Sequence, residues 1–231
     1  MTTFDPSTLT FVIGAGNPAK GTACIMSAAV AKLRVSRGEP LGEATDVLDC
    51  ACPVVRRLAI ARNDLPMDGE LRKQWALPMI DRIIGSRRDD ETTRRRAEAV
   101  ARYAVTVIAA EALRAAGMTD QADRLASLPP TATMGEMRDA ADAADAAADA
   151  DASAYVAAAA YAAAAAAAYA ADAAAADAAA ADAAYAAYAA LAADAAAAAI
   201  ENAAYLPRTR HLDAMIDLAL SIDAAEAEAN Q

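Results

Sequence analysis

From Thr133 to Tyr205 the chain is almost all alanine, with no glycine or proline between Glu136 and Leu206. Alanine has the highest helix propensity of any residue, and nothing in this stretch interrupts a helix. The stretch predicts one helix of about 100 Å at 1.5 Å per residue. A hairpin of alanine helices is the competing reading, but turn residues for it are missing. Small side chains allow close helix approach, so the segment is expected to dock on the rest of the chain or on a second copy of itself.

Alanine also dominates the 57% hydrophobic content, and aromatics are only 4%. Packing must therefore come from closely spaced helices more than from large side chains. The net charge of −11 is unevenly spread. Residues 139–206 hold 10 acids and no base, whereas residues 1–138 hold 19 bases against 17 acids. An acidic chain opposes direct binding to nucleic acid or to an anionic membrane. The acids of the alanine segment solubilise it, or they mimic a nucleic-acid backbone for a basic partner. Ala152 to Ala171 carries no charge and is long enough to span a bilayer. It is poor in strong aliphatics, lacks basic anchors and is flanked by Asp151 and Asp172, which argues against a membrane span.

Before this segment, shorter helices are expected. Thr8–Ile13 reads as a short strand, and Asn17-Pro18 as the cap and first residue of a helix running to Arg37. A second helix starts at Pro53 and ends at Asn63-Asp64-Leu65-Pro66. A third covers Gly69–Ala76, with the sole tryptophan, Trp75. Pro78 begins a fourth, closed by Gly85. A fifth runs from Asp89-Asp90-Glu91 to Gly117, burying Val100, Ala104, Val107, Ile108 and Leu113. Thr119 caps a sixth. Pro129-Pro130 divides the chain into residues 1–130, a helical domain, and 131–231. After Pro207, Leu212, Met215, Ile216, Ala219 and Leu220 mark a final amphipathic helix. The fold class expected is all-α: an N-terminal bundle of about six helices, a long alanine-rich helix and a C-terminal amphipathic helix.

Chemistry-bearing patterns are sparse. Phe11-Val-Ile-Gly14-Ala-Gly16-Asn17-Pro18-Ala-Lys20-Gly21-Thr22 has the outline of a phosphate loop. Lys20 precedes Gly21, however, and Pro18 removes an amide donor, so a plain capped loop is favoured. Cys24, Cys50 and Cys52 with the single His211 do not make a metal set, and their odd number suits reduced thiols in a cytoplasm. His211 reads as a surface residue at a helix start. No signal peptide, catalytic set, metal or cofactor is expected. An enzyme would have to draw on Asp64 with Glu70 or Asp81.

Arginines are dense from Arg82 to Arg102, and their forked donors suit phosphate and carboxylate oxygens. They form an anion pocket, or a solvated face paired with Asp89, Asp90, Glu91 and Glu98, or a dock for the acidic segment. On the first reading Arg82, Arg87, Arg88, Arg95 and Arg102 contact the anion, and Asn63 and Asp64 orient the ligand.

Cys24-Ile-Met26, Cys50-Ala-Cys52-Pro53, Asn63-Asp64 and Ile84-Gly85 together resemble a family of small helical proteins from actinobacteria and their phages. The resemblance covers about residues 20–128. It implies that Cys24, Cys52, Asn63, Asp64 and Arg82 are positions to test, and that an anti-defence or accessory role fits a phage protein, acting in the host cytoplasm. The function expected is a non-enzymatic binding protein, homo-oligomeric, holding a small anionic or nucleotide-like ligand. The alternative is an assembly protein using the alanine helix as its contact surface.

Overall fold

A computed structural model describes residues 4–41, 48–115, 117–133, 135–137, 139–140, 143 and 206–229. Most of these are helical, and the chain divides into two compact units, Met1–Arg88 and Asp89–Gln231. The boundary expected at Pro129-Pro130 thus falls inside the second unit. The alanine-rich stretch lies almost wholly outside the described residues. Among the described residues no helix is long and apolar enough to cross a membrane.

The first unit opens with two parallel two-residue strands, β1 (Thr10–Phe11) and β2 (Thr22–Ala23), in register Thr10 to Thr22. The first helix does not start at Pro18 as the sequence suggested. Asn17 and Pro18 do act as cap and first residue, but of a three-residue 3-10 turn that Gly21 ends at φ 80°. The chain then pairs as β2 before α1 (Ile25–Ser36) begins. Cys24 caps α1, its sulfur accepting from the Ser27 amide while the Ser27 hydroxyl accepts from the Cys24 amide. Gly16 permits this fold-back, because a Cβ there would sit 2.5 Å from the Ala23 Cα.

α2 (Pro53–Asp64) buries Val54, Val55 and Leu58, as its apolar spacing predicts, while Ile60 is half-buried. α3 (Gly69–Ile83) is one helix with Pro78 inside it, not two helices split by a proline. Pro78 and Gln74, whose carbonyl loses its amide partner, are both exposed, so water can satisfy the orphan. Ala76, Met79, Ile80 and Ile83 are buried on either side of the proline, which holds the two halves in line.

The second unit begins with α4 (Asp90–Tyr103). The Asp89 carboxylate accepts from the Thr92 amide at 2.7 Å, and that bond holds its pKa below the ordinary aspartate value. α4 runs without a break into a π-helical stretch, Ala104–Ala109, and then into α5 (Ala110–Ala115). Val105 is buried here and Val107 only partly, the reverse of what a regular helix would give. After Gly117 comes α6 (Thr119–Ala126), whose cap position is Met118, so that Thr119 is the first helical residue instead of the cap. Val105, Ala109, Leu113, Leu125, Ala132 and Met137 form one apolar cluster that takes in the chain beyond Pro130. α7 (Leu206–Ala229) packs on α4, burying Leu212, Met215, Ile216 and Ala219.

Candidate functional site

Asn63 and Asp64 close α2 and stitch it to the glycine loop. The Asn63 side chain is fully buried. Its Oδ1 accepts from the Ile25 amide at 3.2 Å, and its Nδ2 donates to the Val12 carbonyl and to Asp64 Oδ1, each at 3.0 Å. Asp64 Oδ1 also accepts from the Gly14 amide at 3.1 Å. A protein carboxylate therefore stands where a phosphate loop would receive its anion. The amides of Asn17, Ala19, Lys20, Gly21 and Thr22 likewise donate to the chain's own oxygens. Gly14, Cys24, Ile25, Ile60, Asn63 and Asp64 line a cavity of about 20 Å³, which is room for one water molecule and not for a nucleotide. Cys24 and Cys52 are buried, Cys50 is partly buried, and no disulfide joins them.

The five arginines of the sequence reading separate into two groups. Arg82, Arg87 and Arg88 are exposed and belong to the first unit. Arg82 Nη1 donates to the Met79 sulfur at 3.2 Å, and Arg87 Nη1 to the Asp49 carbonyl at 3.4 Å. Arg88 Nη1 donates to the carbonyls of Gly85 and Arg87, at 2.7 and 2.9 Å. Around them, the turn after α3 is laid against the start of α2. The Arg87 amide donates to the Cys50 carbonyl and the Cys52 amide to the Ser86 hydroxyl, both at 2.9 Å. α2 has proline in its first turn, and its cap residue Cys52 makes no side-chain capping bond. A helix start carries positive partial charge, so the arginine turn adds fixed cations beside a favourable dipole. Pro53 marks the α2 start in the sequence, but Ser86 carries no local signal, because its bond to the Cys52 amide spans 34 residues.

Arg95 and Arg102 belong to the second unit. Arg102 donates to the carbonyls of Pro129 at 3.0 Å and Ala132 at 2.6 Å, fastening the end of α6's loop to α4. Arg95 lies close enough to Asp89 and Glu91 to help hold their carboxyls below the usual range, though hydrogen bonds contribute more at both. Arg94 bridges Glu91 and Glu98, and these partners raise its pKa further. The locally paired face therefore exists in part.

The sequence reading missed one cluster altogether. His211 is not at the surface; only 4% of it is exposed. Its Nδ1 lies 3.2 Å from the Tyr103 hydroxyl, and its Nε2 3.2 Å from Glu111 Oε2. Arg210 Nη2 donates to the same Glu111 oxygen at 2.9 Å. A neutral imidazole with a partner at each nitrogen can be buried at little cost, which is why the helix start does not expose it. At 100° per residue, Glu111 should sit about 80° round from Tyr103. The π turn absorbs one residue, so the pair behaves as if seven apart, about 20° short of two turns, and both reach one imidazole.

No family model, curated protein or solved structure matches the chain.

Proposed function

We infer that the protein is a non-enzymatic binding protein whose first unit takes an anionic, phosphate-bearing ligand at the arginine turn. One observation carries this reading: Arg87 and Arg88 are exposed on a turn that is hydrogen-bonded to the start of α2, with Arg82 one turn back on α3. Guanidinium forks and a helix start are each suited to phosphate oxygens, and here they lie together. Asn63 and Asp64 support the fold of the same unit instead of touching the ligand, and the reading draws only on Arg82, Arg87 and Arg88 of the first unit. The reading keeps the chain with the helical proteins of actinobacteria and their phages as an accessory or anti-defence protein of the cytoplasm. Residues 139–206, with their small side chains, provide its self-association surface.

Calorimetric titration of the full chain with ATP, and separately with inorganic phosphate, tests the reading. Each charge-assisted hydrogen bond is worth about 1.5–3 kcal/mol, so Arg87→Glu with Arg88→Glu should weaken binding by at least about tenfold. Arg95→Glu should leave it unchanged. Equal affinity in the double variant, or no binding by the wild type, would remove the proposal.

A further inference from the structure

Tyr103, Glu111, Arg210 and His211 join α7 to the continuous α4–α5 run through their side chains, and none of them serves the arginine turn. We propose that His211 is an acid-sensitive latch: buried and neutral, with the Tyr103 hydroxyl and the Glu111 carboxylate at its two nitrogens, it keeps α7 docked on α4, and protonation loosens α7.

The geometry sets the tautomer of the neutral ring. Glu111 Oε2 accepts, so Nε2 carries the imidazole proton and Nδ1 is left to accept from the Tyr103 hydroxyl. Arg210 Nη2 is 3.5 Å from Nε2, so a second positive charge on the ring would face one already in place. The other charged groups on these elements are carboxylates and guanidiniums. On α4, Arg96 lies seven residues before Tyr103, on the same side, and is fully buried. On α7, Asp213 and Asp217 follow at about 200° and 240° round the helix from His211, away from the ring. Carboxylates titrate mainly below about pH 5, so the imidazole is the group that changes between about pH 5.5 and 7.5.

Burial, chiefly, pushes His211 below the ordinary value of 6.5; Glu111 pulls it back and Arg210 lowers it again. In undocked α7 the ring regains its ordinary pKa. Below 6.5 the undocked state therefore binds more protons than the docked one, and docking weakens as pH falls. Above 6.5 both states are neutral and docking is at full strength.

The chain has one histidine, so its imidazole proton resonance is unambiguous in the full-length protein. Its titration should have a midpoint below 6.5; a midpoint at or above 6.5 would overturn the latch. Hydrogen exchange of α7, corrected for intrinsic rates, should rise several-fold from about pH 7.5 to 5.5. His211→Gln, which can still donate and accept, should flatten that rise, and an equal rise in this variant would also overturn it. Should His211→Gln fail to fold, the wild type decides: α7 exchange must follow the imidazole titration, and exchange independent of it sinks the proposal.

Discussion

Each unit contains one long helical run that departs from regular α-helical hydrogen bonding, and the two departures face opposite ways. In the first unit, α3 passes through Pro78 on its exposed side, where water can satisfy the Gln74 carbonyl. In the second, α4 widens through Ala104–Ala109, with Val105 and Ile108 buried, and the wide turn brings Tyr103 and Glu111 into line on His211. A fault on the wet side of a helix is tolerated and changes little around it. A fault on the packed side re-aims every side chain beyond it. The same local irregularity is thus incidental in one unit and organising in the other.

Deletions give the strongest test of that contrast. Removing Ala99, within regular α4, turns the two ends of the run by 100° and should cost about 5 kcal/mol or more, enough to unfold the second unit. Removing Thr106, within the wide turn, should restore a regular helix with both faces aligned and cost only about 1 kcal/mol, chiefly the hydrogen bond from its hydroxyl to the Arg102 carbonyl. Urea denaturation followed by circular dichroism separates the two outcomes; similar losses would mean that the wide turn is not a one-residue insertion. Pro78→Ala should instead stabilise the first unit. It regains about 3 kcal/mol of helix propensity and gives up about 1 kcal/mol of unfolded-chain restriction. Trp75 lies on α3, so its fluorescence should report a gain of about 2 kcal/mol; no gain would mean that the two halves of α3 act as separate helices. Tyr103→Phe should cost about 1 kcal/mol at neutral pH by circular dichroism. A neutral result would make the alignment on His211 a coincidence of packing.

Element type was legible where periodicity and breakers agreed. The apolar spacing of Val54, Val55 and Leu58 placed α2, and Gly38 and Gly85 marked the ends of α1 and α3. Asp89 and the acids after it placed the start of α4. The errors came where two signals conflict. Proline reads as a helix start, yet burial on both sides of Pro78 carries α3 through it. Asn17-Pro18 is a sound cap that Gly21 cancels three residues later. The site was less legible. Asn63 and Asp64 stand out in the sequence as ligand-orienting residues, but their bonds run to Val12, Gly14 and Ile25, which no local pattern announces. His211 reads as a surface residue because it follows the helix start at Pro207, and a uniform 100° step puts its partners Tyr103 and Glu111 on different faces. Nothing in Ala104–Ala109 marks a wider turn.

The bonds of Asn63 and Asp64 also bear on the order of assembly. They join positions 50 and 51 residues apart, and the Lys32–Asp81 ion pair between α1 and α3 spans a further 49. Closing a loop of that length has an entropy cost that local contacts do not bear, and such contacts slow folding in proportion. The physical expectation is that α2 and α3 associate early and the glycine loop is threaded onto them last. The Val12 carbonyl and the Gly14 amide would then be the final backbone groups of the unit to find their partners, and the rate at which they do so would set the speed of the whole.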